Sequence, residues 1–258
     1  MRNVGIVAWN TFREAVRDRV LYNLVFFALL MMAAALLVGQ ISIDIEKTVI
    51  ISLGLTAVSV IGLLIAVFIG VGLVSKEIDK RTLYALLAKP ISRAQFLTGK
   101  FGGLVLTLAV NTAAMAAGLF LVLLYAMHTL ERSDAGVLIA VYFILLKLAL
   151  VVALAMLFSC FTTPLLAILF TGGLYISGLF VEDMRTMHMP QMSEAAQTFL
   201  HWLSYLLPNF QNFDVMGAVA HGRGVPEALV LHNTLYTILY CGVLLFAAAV
   251  IFSRKNLK

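Results

Sequence analysis

Six long apolar runs, residues 20–40, 48–74, 101–127, 137–161, 164–181 and 229–252, constrain this chain more than anything else in it. Each is close to or above the ~20 mainly apolar residues with which an α-helix crosses a bilayer core. Five of the six carry no Asp, Glu, Lys or Arg, and the fourth carries only Lys147. With no water in the core to satisfy the backbone, such segments must be helical or close into a barrel. Barrel strands of ~10 alternating residues would not leave runs of this length. A chain with 62% hydrophobic residues, 12% charged residues and a mean hydropathy of +1.01 is not a water-soluble domain. The expected fold is an all-α membrane protein with six transmembrane helices forming a single domain over residues 1–258.

The placement of charge orients those helices. With the N-terminus inside, segments 1–19, 75–100 and 253–258 share one face and carry thirteen Lys/Arg against four Asp/Glu. Segments 41–47, 128–136 and 182–228 share the other and carry four Lys/Arg against nine Asp/Glu. An excess of Lys and Arg marks the cytoplasmic face. A multi-pass protein of the plasma (inner) membrane with both termini cytoplasmic is therefore expected. The sequence pI of about 9.3 then reflects sidedness, and no nucleic-acid partner is expected. The first 19 residues lack the apolar core and small-residue cleavage site of a signal peptide. Cys160 and Cys241 fall at different depths in their runs, so both are expected to be packed thiols.

Residues 1–19 form an amphipathic pattern at 100° per residue. Gly5, Ala8, Trp9, Phe12, Ala15 and Val16 share one face, opposite Arg13, Glu14, Arg17 and Asp18. A helix lying on the inner surface against anionic lipid is expected. In the second run Gly62, Ala66 and Gly70 recur every fourth residue, a spacing that lets two helix backbones approach closely. In the outside segment 182–228, Ser193 can cap an apolar helix that Pro208 stops after Leu207. It is too short to span, so a re-entrant or interfacial outside helix is expected before helix 6, which begins near Val225-Pro226-Glu227.

The charged stretch 75–100, SKEIDKRTLYALLAKPISRAQFLTGK, stands between two of these runs with six Lys/Arg and two acids. Thr82 can cap a short helix with Leu83, Leu86 and Leu87 on one face. Pro90 pushes the residue before it out of helical geometry. Ser92-Arg93-Ala94-Gln95 reads as a capping box for the next helix. The expected product is a cytoplasmic helix with a charged rim and a leucine face, suited to docking a soluble partner.

At these residues the chain resembles permeases of the type-2 family of ATP-binding-cassette (ABC) transporters. Their inner loop runs as an acidic pair, Thr-Leu, a leucine-rich turn, Pro, an Arg-containing cap and Gly-Lys. Glu77 and Asp79 match the acidic pair, and Thr82-Leu83 the Thr-Leu. Leu87, Pro90, Arg93 and Gly99-Lys100 match the remainder. The amphipathic start TFREAVRDRVLYN and the LLPNF before the last run extend the likeness over nearly the whole chain, which looks like the short stand-alone six-helix subunits. The resemblance implies a cytoplasmic coupling helix between helices 2 and 3. Its ATPase-coupling residues would be Glu77, Asp79, Arg81, Thr82, Leu83, Leu86, Leu87, Pro90 and Arg93. It also implies a second permease copy, in a homodimer, and a separate ABC ATPase subunit that binds ATP and Mg.

The chain shows no nucleotide-binding loop of its own. Residues 94–101, AQFLTGKF, lack the first Gly and final Ser/Thr of a Walker A motif, and no HExxH, GxSxG or CxxC occurs. No catalytic residue and no cofactor bound by this chain are expected. Lys147 is the one charge inside a run and should face polar company; Asn111 is the candidate partner for it, and the pair marks a candidate substrate path. No metal site is expected. Met184, Met187, His188, Met189 and Met192 have ligand chemistry suited to monovalent copper, but adaptable packing accounts for the methionines too. The expected function is export of a hydrophobic or amphipathic substrate, driven by ATP hydrolysed on a partner. The alternatives are a membrane scaffold or regulator with the same architecture, and a permease for copper-related maturation. A secondary transporter is disfavoured by the lack of ionisable relay groups.

Overall fold

The computed structural model describes residues 2–17, 19–41, 45–79, 92–129, 131–186 and 194–254. Among them the chain is all helix and irregular backbone, without a strand. In chain order the helices are α1 Arg2–Val16, α2 Arg19–Ile41, α3 Glu46–Asp79 and α4 Arg93–Met127. After a 3-10 turn at Arg132–Ala135 come α5 Gly136–Ser159, α6 Pro164–Leu179, the short α7 Val181–Thr186 and α8 Glu194–Leu206. A second 3-10 turn, Gln211–Phe213, leads to the short α9 Met216–Ala220 and to α10 Glu227–Arg254.

Four helical stretches are long and apolar enough to cross a membrane: Glu46–Gly72, Ala94–Met127, Gly136–Ser159 and Glu227–Ser253. The first and fifth apolar runs appear as the shorter stretches Leu24–Gly39 and Pro164–Leu179. The outer end of α6 has a visible cause. The backbone of Phe210 donates to the carbonyl of Gly178 (3.0 Å), so the chain returning from outside packs against the helix there. A Cβ on Gly178 would collide with the Pro208 carbonyl and the Phe210 ring. Glycine at 178 is what admits this returning segment.

The centre of the bundle is α5, buried along nearly its whole length, with α3, α4, α6 and α10 around it. Glycines set how closely α3 approaches. A side chain at Gly54 would strike Leu119 of α4, one at Gly62 would lie 2.6 Å from Leu148 of α5, and one at Gly70 3.1 Å from Ala155. The expected small-residue seam is therefore present, and its partner at Gly62 and Gly70 is α5. Ala66, between them, lines a cavity of about 10 Å³ closed by Ile65, Leu104, Thr107 and Val152, at the lower limit for one water. Outward, α2, α6 and α10 expose large apolar side chains, among them Phe26, Phe27, Leu165, Leu169, Leu239 and Phe246. Apolar faces of this extent are what a lipid-facing surface requires.

Candidate functional site

The inner rim is built from the ends of two long helices. The second apolar run does not end in a loop at residue 75: α3 continues to Asp79, placing Glu77 and Asp79 on its last turns. The loop is correspondingly shorter than 75–100. On its far side Ser92 caps α4 as its spacing predicts. Ser92 Oγ accepts from the Gln95 backbone N–H and Gln95 Oε1 from that of Ser92, both at 3.2 Å. Arg93 is the first residue of that helix. Arg81, Thr82, Leu83, Leu86, Leu87 and Pro90 lie outside the described residues, so the coupling helix itself is an expectation still.

Immediately beyond the cap, α4 is gripped by α1. Val7, Thr11 and Ala15 are buried, and Gly99 and Gly103 of α4 lie against them. A Cβ on Gly103 would meet the Ala8 carbonyl and Thr11, and one on Gly99 would sit 2.7 Å from Val7. Lys100 is buried at 3% exposure, with Nζ 3.7 Å from the Glu14 carboxylate and 5.8 Å from the centre of the Phe96 ring. The stripe through Trp9 and Phe12 is not the packed one: Trp9 is 60% exposed, its ring 5.5 Å from that of Phe12. The glycine notch on α4 takes the adjacent stripe instead. The aromatic pair is left outside that contact, and Asn10, Arg13 and Arg17 face away from the protein. Gly99 and Gly103, four residues apart, were the available signal.

Lys147 is buried at 4% exposure near the middle of α5. Its Nζ donates to Ser59 Oγ of α3 at 2.7 Å, and not to Asn111 as the sequence suggested. Asn111 is buried too, with its Nδ2 lacking a hydrogen-bond partner. The two were paired by position within their runs, but Ser59 shares the α3–α5 seam with Lys147, and a hydroxyl in an apolar run attracts no notice from composition. A central lysine costs roughly 2.5–3.5 kcal/mol on insertion scales, and an unmet buried donor about 1–3 kcal/mol. One hydroxyl acceptor is modest compensation for both.

The outer segment descends along α10. Tyr236 Oη accepts from the Asn209 backbone N–H (3.0 Å), and Tyr240 Oη donates to the Leu206 carbonyl (2.7 Å). These tyrosines are nine and thirteen residues into α10, or ~14 and ~20 Å below its start. Asn209 Nδ2 also donates to Glu182 Oε2, and Asn233 Nδ2 to the Asn212 carbonyl. Arg185 of α7 reaches the Ser204 carbonyl of α8 at 2.9 Å and stacks on Tyr205. The segment expected outside does hold a helix, α8, with Phe199, Trp202 and Tyr205 exposed. Of the copper candidates, Met184 is half-buried on α7; Met187, His188, Met189 and Met192 lie outside the described residues. Nearby, Lys47 lies 2.8 Å from both the Glu131 and Asp134 carboxylates, tying the start of α3 to the turn before α5.

Apolar helices around a buried central helix, a charged rim at one end and a folded segment at the other define a polytopic helical membrane protein. The chain belongs to the ABC-2 family transporter proteins, whose family model matches residues 6–257. No curated protein matches it. Family and fold together make it a multi-pass membrane component of an ABC transporter.

Proposed function

We propose that this chain is the permease subunit of an ATP-driven exporter in the plasma (inner) membrane. What carries the proposal is the family match across residues 6–257 of a chain with no nucleotide-binding loop of its own. ATP and Mg are bound by a separate ABC ATPase, and two permease copies, each of six spans, enclose the path. In this reading α2 and α6 span with α3, α4, α5 and α10. The α7–α9 segment is re-entrant from outside, both termini are cytoplasmic, and α1 lies along the inner boundary. The cargo is hydrophobic or amphipathic, in keeping with the apolar bundle.

The ATPase docks on Glu77, Asp79, Arg81, Thr82, Leu83, Leu86, Leu87, Pro90 and Arg93. Support comes from α3 running on to Asp79 and from the Ser92 cap, which end two long helices at the same rim. The test is co-expression with the ABC ATPase. Glu77→Lys combined with Asp79→Lys is expected to abolish co-purification, or to leave ATP turnover uncoupled from transport. A double variant that still binds the ATPase and transports normally overturns the docking assignment.

A further inference from the structure

We infer that Lys147, Ser59 and Asn111 form a site for the anionic head group of an amphiphile. The inference rests on the permease reading and deepens it by naming a ligand class. The three residues belong to helices that pack pairwise, α5, α3 and α4. Their depth follows from two glycine contacts: Gly54 of α3 meets Leu119 of α4, and Gly62 of α3 meets Leu148 of α5. Eight residues inward from the first contact lie Gly62 on α3 and Asn111 on α4. Gly62 abuts Leu148, the neighbour of Lys147, so Asn111 and Lys147 stand at one level, with Ser59 less than a turn away.

At that level the three side chains offer more donors than acceptors. The ammonium spends one N–H on Ser59 Oγ. Among the described residues no carboxylate forms an ion pair with it. The Asn111 amide N–H₂ is unpartnered among the described residues. The Ser59 hydroxyl, accepting from Lys147, has its own proton to give. A carboxylate, phosphate or sulfate supplies acceptors to all three, whereas a cationic head group meets like charge at Lys147.

The returning segment lies beside this level. Phe213 of the outer segment packs on Phe143, ring centres 6.5 Å apart, one helical turn above Lys147. Asp214 follows it in sequence and is exposed. The returning segment thus packs on α5 one turn from the site.

The test uses the full chain in phosphatidylcholine nanodiscs, with dodecanoate and dodecyltrimethylammonium as probes. Dodecanoate is expected to bind wild type well above the cationic probe. Lys147→Met is expected to lose its affinity about tenfold or more, and Asn111→Leu a smaller part, as loss of charged and neutral hydrogen bonds predicts. Lys147→Arg, which keeps the charge, is expected to retain most of it. Thermal midpoints check folding, and Asn111→Leu keeps the inference testable if Lys147→Met does not fold. Equal binding of the two probes to wild type, or dodecanoate affinity unchanged in folded variants, overturns the site and leaves a structural contact only. Discs made with phosphatidylglycerol separate the sources: competition identifies a resident lipid head group, and its absence a single-chain cargo. ATP turnover with the co-expressed ATPase is read separately, so a failed permease reading is distinguishable from a failed binding site.

Discussion

Gly103→Ala should loosen α1 from α4, and Gly102→Ala, one residue away, should not. At Gly103 the added methyl meets the Ala8 carbonyl and comes within 2.6 Å of Thr11 Cβ. Neither is the far end of a flexible side chain, so relief requires α1 itself to move. At Gly102 the same methyl lies 3.8 Å from Ala8 Cβ, an ordinary contact. Both substitutions gain roughly 0.8–1 kcal/mol of helix propensity, which makes one a control for the other. Overpacking costs about 1–3 kcal/mol. Against it stands the burial of Val7 and Ala15, at 7% and 1% exposure, worth ~2–4 kcal/mol by area. The clash is comparable with the docking energy, so the undocked population should rise by about 5–150-fold. The reporter is Ala15→Cys, a buried position, labelled with a soluble maleimide; Cys160 and Cys241 are buried and give little background. Labelling should accelerate by at least fivefold in Gly103→Ala and remain at the wild-type rate in Gly102→Ala. Equal rates in both would show that α1 is not held by the glycine notch.

Gly178→Ala should release the returning outer segment, because its methyl collides with the Pro208 carbonyl and the Phe210 ring; faster proteolysis between α8 and α10 with α3–α5 intact is the expected result. Lys47→Met should cost about 1 kcal/mol or less, since Glu131, one of its two partners, is exposed, and a thermal midpoint insensitive to salt in both proteins would refute an electrostatic role. Single cysteines at Arg223 and Asn256 should divide in sealed cells, the first reacting with an impermeant thiol reagent and the second not; labelling of both would overturn the inward placement of the termini.

The helices were legible because burial in lipid imposes a crude requirement, length without charge, that composition displays directly. So were the Ser92–Gln95 cap and the Gly62–Gly70 seam, both set by residues within a few positions of one another. Shorter α6 was not legible. Its apolar run continues past Leu179, and what halts the helix is Phe210, some thirty residues on, bonded to the Gly178 carbonyl. Which stripe of α1 packs on α4 was not legible for a related reason. An amphipathic pattern separates wet from dry sides, but it does not say which part of the dry side meets protein and which meets lipid. The partner of Lys147 escaped because Ser59 became adjacent only through the close approach of α3 and α5, a tertiary distance set by Gly62 and Leu148.

That same approach bears on how an event at the inner rim reaches the middle of the protein. Asp79 and Ser59 lie on one helix, α3, without a proline between them, and twenty residues of α-helix span ~30 Å. Gly62, Gly70 and Gly72 also stand between them, so a tilt imposed at the Asp79 end would reach Ser59 only as far as the packing of Gly62 and Gly70 on α5 keeps the helix straight. The opposite wall moves differently, since α4 is pinned at Gly99 and Gly103 by α1 just above its cap. Tilting α3 against a pinned α4 changes the separation of Ser59 from Asn111, which stand on these two helices within a turn of one level. The hydroxyl would draw Lys147 toward or away from the amide through its 2.7 Å bond. A tilt of α3 against an α4 held by α1 would therefore alter how far these three donors converge on one acceptor.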